Sequence, residues 1–222
     1  IASCLVGSEM CIRDSAVAAP FRRSTRLRLK VQRTPNPPSL LQELPMTTYS
    51  APLRDMRFVL HDVFNASGLW ARLPALAERI DADTADAILE EASKVTGQLI
   101  APLSRNGDEQ GVCFDAGQVT TPEGFREAWN TYREGGWVGL GGNPEHGGMG
   151  MPKMLGVLFE EMLYAADCSF SLYSALSAGS CLAIDAHASE ALKATYLPPL
   201  YEGRWAGTMC LTEPHAGTDL GL

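Results

Sequence analysis

Residues 209–221 read Met209-Cys-Leu-Thr-Glu-Pro-His-Ala-Gly-Thr-Asp-Leu-Gly221. In this part of the chain the spacing of apolar residues stops being helical. Just before and into it, residues 204–211 roughly alternate between polar and apolar side chains, which predicts a β-strand. A turn rich in proline and glycine follows and exposes backbone N–H groups beside the hydroxyls of Thr212 and Thr218, an arrangement that can bind a phosphate. An ordinary β-turn capped by Asp219 accounts for the same composition.

Upstream of this stretch, from Met46 onward, apolar side chains recur at helical spacing in one segment after another. The clearest has Ile88, Ala92, Val95 and Leu99 at i, i+4, i+7 and i+11, on one helix face. We predict a helix here that begins at a cap, Asp83 or Thr84, and is closed by Pro102 and Gly107. The other predicted helices lie at about 52–64, 69–79, 121–134, 152–163, 167–182 (capped by Asp167 or Ser169) and 189–197, with an irregular exposed loop at 108–119 and a predicted end at Pro198-Pro199 for the last helix.

The fold class expected from these patterns is mainly α: a helical domain followed by the first strand of a truncated β domain. We place the boundaries at a leader of residues 1–45, a helical domain of 46–203 and the start of the β domain at 204–222. Seven basic and three acidic residues give the leader a net charge of +4, whereas residues 46–222 carry −12.

Three explanations of the leader remain open. Its Arg-rich, acid-poor run at 21–30 is typical of a mitochondrial presequence, and a solvated basic tail has the same composition. The third, which we favour, is that residues 1–45 are translated adapter and upstream sequence and that Met46 is the natural start. In each case we expect the segment to be mostly disordered, because it lacks the apolar periodicity needed to offset the entropy of ordering.

Composition excludes several classes of protein. With 45% hydrophobic and 20% charged residues and a net charge of −8, the chain resembles a globular protein rather than a nucleic-acid binder. No stretch has the roughly 18 consecutive uncharged apolar residues of a membrane span. Six irregularly spaced cysteines and four scattered histidines predict neither a disulfide framework nor a metal site. Neither a P-loop nor a complete G-x-G-x-x-G motif occurs.

The stretch at 209–221 resembles the L-T-E-P-x-A-G-[ST]-D signature of acyl-CoA dehydrogenases, the flavoenzymes of fatty-acid β-oxidation. Residues 49–58 and 219–222 also resemble the subgroup that includes the methylmercaptopropionyl-CoA dehydrogenases. The resemblance covers roughly residues 47–222. Further segments match the family in the same order: Gly135-Gly-Trp-Val-Gly-Leu140, Pro144-Glu-His-Gly-Gly-Met-Gly150, Glu160-Glu-Met-Leu163 and Lys193-Ala-Thr-Tyr-Leu-Pro198.

The resemblance implies that FAD is the cofactor and that an acyl-CoA thioester is oxidised to a trans-2-enoyl-CoA. By their positions in the motif, Met209, Leu211 and Thr212 would lie against the flavin, with Thr212 at its pyrimidine edge. Gly217 and Thr218 would meet the pyrophosphate, and Thr218 would also reach the substrate. The glycines of the loop at 147–150 are expected to make a tight helix connection rather than to touch a ligand.

The resemblance also implies what the complete protein contains. The catalytic base, a glutamate in the family, is expected beyond residue 222, so no residue of this chain is predicted to be catalytic and the fragment alone is expected to be inactive. An electron-transfer flavoprotein, a homo-oligomer and a cytoplasmic location are expected, or the mitochondrial matrix if the leader is a presequence. Two alternatives stay open: a non-catalytic helical binding protein on the same scaffold, and a flavin oxidase or monooxygenase of a non-CoA substrate.

Overall fold

The computed structural model describes residues 49–210, 212, 214–217 and 219, so the leader at 1–45 lies outside the described residues. The described chain is mainly helical, which confirms the predicted fold class. Its elements are α1 (Leu53–Arg57), α2 (Ala66–Trp70), α3 (Pro74–Ala77), α4 (Ala82–Lys94), α5 (Ser104–Gln110), β1 (Cys113–Asp115), β2 (Gln118–Thr120), α6 (Phe125–Glu134), α7 (Lys153–Ala166), α8 (Cys168–His187) and α9 (Glu190–Tyr201). Helix α1 continues as π-helical turns over Phe58–Val63, and short 3₁₀ turns lie at Trp137–Gly139 and Pro144–His146.

Helix α4 begins two or three residues earlier than predicted, and the helical path does not end at Pro102. Its cap is Asp81, whose carboxylate accepts the N–H of Thr84 at 2.8 Å, rather than Asp83 or Thr84. The helical path continues through π-helical and 3₁₀ turns into α5, because Pro102 lies at the start of a short 3₁₀ turn where a missing N–H costs little. Gly111, with φ of +64°, ends the path.

The expected loop at 108–119 is wrong, because α5 extends to Gln110 and an antiparallel hairpin follows. Strands β1 and β2 pair with Phe114 opposite Val119. The two turn residues, Ala116 and Gly117, both have positive φ, as a tight hairpin turn requires. The hairpin is largely exposed and has no buried face, so it leaves no alternating hydrophobic pattern in the sequence.

Further helix boundaries differ from the prediction. The helix predicted at 69–79 is two short helices, α2 and α3, and α8 continues beyond the predicted end at 182 to His187. Helix α6 begins at Phe125 rather than at Thr121-Pro122, because the N–H of Glu123 bonds to the side chain of Gln110 at 2.8 Å. Helix α9 runs through Pro198-Pro199 to Tyr201, since the packing of buried side chains in its last turn outweighs the missing donors. Helix α8 begins at the predicted cap: Asp167 accepts the N–H of Phe170 at 2.9 Å.

An aromatic cluster forms the centre of the core. Phe125, Trp129 and Tyr132 recur at i, i+4 and i+7, a spacing that predicts one helix face, and they share the buried face of α6. They pack on Phe170 of α8, with ring centroids 6.0, 6.1 and 5.7 Å away, and Tyr132 also stacks on Phe159 of α7 at 6.1 Å. Burying an aromatic side chain contributes on the order of 2–3 kcal/mol, so this cluster fixes α6, α7 and α8 relative to one another.

The strand predicted at 204–211 has no partner among the described residues. Residues 204–205 form a bend, and 206–210 form an irregular connection. A strand is stabilised by hydrogen bonds to a neighbouring strand, and the described part of the chain offers none beside this segment. The strand, like the domain boundary at 203, therefore stays a prediction, and Leu211 lies outside the described residues.

Candidate functional site

The segment that leads into the signature leaves α9 through a well-held turn. Gly203 has φ of +65°, and a Cβ added there would lie 2.9 Å from the Cβ of Arg133 on α6. The carbonyl of Pro199 accepts the N–H groups of both Arg204 and Trp205 at 3.0 Å. The Trp205 ring packs against Tyr196 of α9 with centroids 5.9 Å apart. The exit of the chain from the helical domain is thus fixed by backbone and side-chain contacts.

Two residues further on, the same segment rests directly on α8. The N–H of Gly207 donates to the hydroxyl of Ser177 at 3.0 Å, and Ser177 is 1% exposed. A Cβ on Gly207 would lie 2.2 Å from the Oγ of Ser180 and 3.1 Å from the Cα of Ser177. Because no side chain fits between them, the backbone of the segment approaches α8 as closely as only glycine allows.

The signature residues that follow lie at the surface of the described chain. Met209 is 60% exposed and Thr212 is exposed. Gly217 is half-buried, and a Cβ added to it would lie 3.7 Å from Cγ2 of Thr212. The turn therefore brings two of the five predicted cofactor-binding residues together. Leu211 and Thr218 lie outside the described residues.

Helix α8 carries an exposed apolar face next to this segment. Leu172 and Leu176 are 51% and 37% exposed, and with Ser180 they stand at i, i+4 and i+8, hence on one face. Ser180 is also the residue that Gly207 approaches. The face formed by Leu172 and Leu176 therefore runs along α8 toward Ser180, where Gly207 crosses the helix just before the signature.

A cavity of about 290 Å³ opens on a different side of α8, between α8 and α7. Three small residues leave the space: Gly156 of α7 and Ala175 and Ala178 of α8. The sequence analysis did not identify this cavity, because small side chains inside helices give no periodic signal. At its floor, the hydroxyl of Tyr132 donates to Ser174 at 3.4 Å, and burial raises the pKa of Tyr132 strongly.

In the glycine-rich loop at 141–150, which leads to α7, the backbone near Gly148 packs directly against the backbone of Gly142. A Cβ on Gly148 would lie 2.1 Å from the carbonyl carbon of Gly142, which leaves no room for a side chain. The side chain of Asn143 bonds to Asp185 of α8 at 3.0 Å, and its N–H donates to the hydroxyl of Tyr201 at 3.2 Å. Burial raises the pKa of Tyr201. This geometry agrees with a structural role for the loop glycines.

Comparison with known proteins identifies the class of this helical domain. The family model described as "Acyl-CoA dehydrogenase, N-terminal domain" matches residues 82–204, more than half of the chain. The chain therefore belongs to the acyl-CoA dehydrogenase family. The signature at 209–221 lies just beyond the matched range.

Individual relatives agree with this assignment. The chain is 42% identical to 3-methylmercaptopropionyl-CoA dehydrogenase of Ruegeria pomeroyi over 78% of its own length and 29% of the relative's. It is 34% identical to a butyryl-CoA dehydrogenase of Syntrophomonas wolfei, over 78% and 28%. It is 29% identical to a broad-specificity linear acyl-CoA dehydrogenase of Mycobacterium tuberculosis, over 79% and 28%. The chain thus spans under a third of the length of these relatives. Within the described residues, none of the helices combines the length and apolar character that crossing a bilayer demands.

Proposed function

We propose that this chain is the N-terminal portion of an FAD-dependent acyl-CoA dehydrogenase of fatty-acid metabolism. The complete enzyme oxidises an acyl-CoA thioester to a trans-2-enoyl-CoA and passes the electrons to an electron-transfer flavoprotein. The observation that carries the proposal is the order of elements in a member of this family. The glycine loop, α7, α8 and α9 are followed by residues 203–207, which contact α8 at Gly207 and lead into the signature.

The described residues of the signature fit a flavin nucleotide. Thr212 presents a hydroxyl at the surface, and Gly217, beside it, has no side chain that would keep a pyrophosphate from the backbone. The nearby Met209 offers an exposed apolar side chain suited to contact a flat ring. When bound, FAD accepts a hydride from the β-carbon of the thioester.

The five predicted cofactor-binding residues would hold the flavin nucleotide. Thr212 would donate its hydroxyl and N–H to the pyrimidine edge of the flavin, where negative charge increases on reduction. Met209 and Leu211 would pack against the ring. Gly217 and Thr218 would contact the pyrophosphate, and the hydroxyl of Thr218 would also orient the substrate.

The exposed leucine face of α8 supplies a wall for the acyl chain. Leu172 and Leu176 lie on the face that leads to the crossing of Gly207 over Ser180, so an alkyl chain along this face would have its reactive end toward the signature. Covering the two side chains with substrate would remove apolar surface from water, at about 25 cal/mol per Å².

No carboxylate of this chain is assigned as the base that removes the α-proton. Glu160 and Glu161 of α7 are exposed to solvent, and we expect the base in the part of the enzyme that follows residue 222. The complete enzyme is proposed to be a homo-oligomer in the bacterial cytoplasm. The bacterial origin of the three relatives named above supports this location.

The test uses the protein expressed from its complete reading frame. Purified wild-type protein should carry yellow flavin absorbance, and anaerobic addition of an acyl-CoA should bleach it. The panel should include butyryl-CoA and 3-methylmercaptopropionyl-CoA, after the names of the relatives. Thr212→Val should weaken FAD binding about threefold to tenfold through loss of one hydrogen bond to the flavin. Thr208→Val, at an exposed position four residues earlier, should leave binding unchanged.

The outcomes separate the candidate functions. A colourless full-length protein would contradict the proposal and favour a non-catalytic binding protein. Bound flavin that no acyl-CoA bleaches would favour an oxidase or monooxygenase of another substrate. Equal FAD affinity of wild type and Thr212→Val would remove the role assigned to that residue.

A further inference from the structure

We infer that Ser177 of α8 is a positioning residue. Its hydroxyl fixes the place at which residues 203–210, which lead to the proposed flavin-binding residues, leave the helical domain. The inference rests on the proposed function, because it assigns Ser177 a role in holding Met209 and Thr212 where the cofactor needs them. Ser177 itself belongs to neither the predicted cofactor-binding set nor the signature.

The hydroxyl of Ser177 makes two hydrogen bonds in different directions. It donates to the carbonyl of Tyr173, four residues earlier on α8, at 3.3 Å, and it accepts the N–H of Gly207 at 3.0 Å. The first bond orients the oxygen along the helix, so its lone pairs point outward toward the segment. A serine hydroxyl can donate once and accept twice, and this geometry uses both capacities.

Because Ser177 is buried, losing its hydrogen bond to Gly207 should have a measurable cost. Ser177 is 1% exposed, although it stands on a helix whose neighbouring residues, such as Leu176 and Ala178, are exposed. Ser177 lies on the same buried face of α8 as Phe170 and Cys181, and Gly207 lies so close to this part of the helix that a Cβ would meet Ser177 and Ser180. Removing the hydroxyl would leave the half-buried N–H of Gly207 without its partner, which costs more than the bond itself contributes.

The bond is also the last of three contacts along the segment before the signature. Gly203 packs on α6, Trp205 packs on Tyr196, and Gly207 bonds to Ser177, in steps of two residues. Met209 comes two residues after the last contact and is exposed. Loss of the bond at Gly207 would therefore free the residues nearest the flavin while the turn at Gly203 stays held.

The first arm of the test measures hydrogen exchange at the amide of Gly207 in the intact protein. Ser177→Ala and Ser177→Cys should speed exchange there about threefold to tenfold, the loss expected for one hydrogen bond. Ser177→Thr keeps the hydroxyl but adds a methyl at a buried position, so exchange there should fall between the rates of Ser177→Ala and wild type. The matched control is Thr195→Ala on α9, which removes an exposed hydroxyl that donates to the carbonyl of Ala191 within its own helix at 2.7 Å and should leave exchange at Gly207 unchanged.

The second arm measures FAD affinity and the visible flavin spectrum of the same variants. Ser177→Ala should raise the dissociation constant of FAD about threefold to tenfold and alter the fine structure of the flavin band, with helix content by circular dichroism unchanged. Ser177→Thr, which keeps the hydroxyl, should restore part of both signals relative to Ser177→Ala.

A second pair of variants approaches the contact from the other side. Gly207→Ala places a methyl 2.2 Å from Oγ and 2.7 Å from Cβ of Ser180, so it should push the segment away and weaken FAD binding. Adding Ser180→Gly removes both of those atoms and should restore part of the affinity. This rescue does not depend on whether Ser177 variants fold well.

The results decide separately on the inference and on the proposed function. Unchanged exchange at Gly207 in Ser177→Ala, or faster exchange with unchanged FAD affinity and spectrum, would overturn the inference. A full-length wild-type protein without flavin would overturn the proposed function, whereas the exchange arm would still decide whether Ser177 holds the segment.

Discussion

Gly148→Ala should destabilise the helical domain, because the loop crosses itself at this residue. The Cβ of alanine would lie 2.1, 2.3 and 2.4 Å from the carbonyl carbon, oxygen and Cα of Gly142. Ordinary contacts between such atoms are about 3.5 Å or longer, so the two backbone strands of the loop must separate by more than an ångström. All three atoms belong to backbone, so no side-chain rotation relieves the overlap.

The magnitude follows from what that separation breaks. Gly150 donates to the carbonyl of Gly142 at 2.9 Å, and Gly148 donates to the carbonyl of Asn143 at 2.9 Å. Losing two such bonds costs about 2 kcal/mol, and the overpacking costs about 1–3 kcal/mol. The stiffer unfolded chain of the alanine variant returns about 0.4–1 kcal/mol. We therefore expect a net loss of about 2–4 kcal/mol in the free energy of unfolding.

Gly156→Ala is the matched control. Gly156 lies inside α7, and a Cβ there would meet no heavy atom within 4 Å. Alanine is the better helix former by about 0.5–1 kcal/mol, so this variant should be slightly more stable than wild type. Urea unfolding followed by far-ultraviolet circular dichroism measures both changes. A Gly148→Ala variant within about 0.5 kcal/mol of wild type would refute the reasoning from the loop crossing.

Two further predictions concern ionisable groups. Hydrogen bonds from the side chain and N–H of Thr84 lower the pKa of Asp81, so its carboxylate stabilises the fold above about pH 4 and this contribution is lost as pH falls through the folded-state pKa. Asp81→Asn should accordingly be less stable than wild type in urea at pH 7, with a gap that narrows below about pH 4; a gap independent of pH would contradict it. Burial, with a smaller contribution from Asp185, raises the pKa of Cys181 to about 11. Peptide mapping after iodoacetamide treatment at pH 8 should show Cys113, which is exposed, modified well before Cys181, and equal rates would contradict the burial.

The sequence predicted those parts of the fold that repeat along a helix. The helical spacing of Trp129 and Tyr132 in α6, and of Leu155 and Phe159 in α7, predicts two buried faces, and all four side chains are in the core. The same pattern identified Asp167 as a candidate cap of α8, since a capping residue lies next to the helix that it caps.

Contacts between residues distant in the sequence could not be predicted in this way. The bond from Gly207 to Ser177 joins residues 30 apart, and the approach of Gly148 to Gly142 depends on the path of a whole loop. No local period marks either contact. The family motif named Thr212 and Gly217 as site residues, and the structure adds that they are neighbours, whereas their contact with a cofactor stays a prediction.

The exposed hairpin has a practical consequence for labelling. Both residues of its tip, Ala116 and Gly117, have the positive φ angles of a tight hairpin turn. A Cβ on Gly117 would meet no heavy atom within 4 Å. Exposed loop tips with small residues are preferred sites for tolerated insertions. A short peptide tag or a fluorophore inserted at 116–117 would therefore report on the position of the helical domain without contacting the aromatic core or the segment that crosses α8.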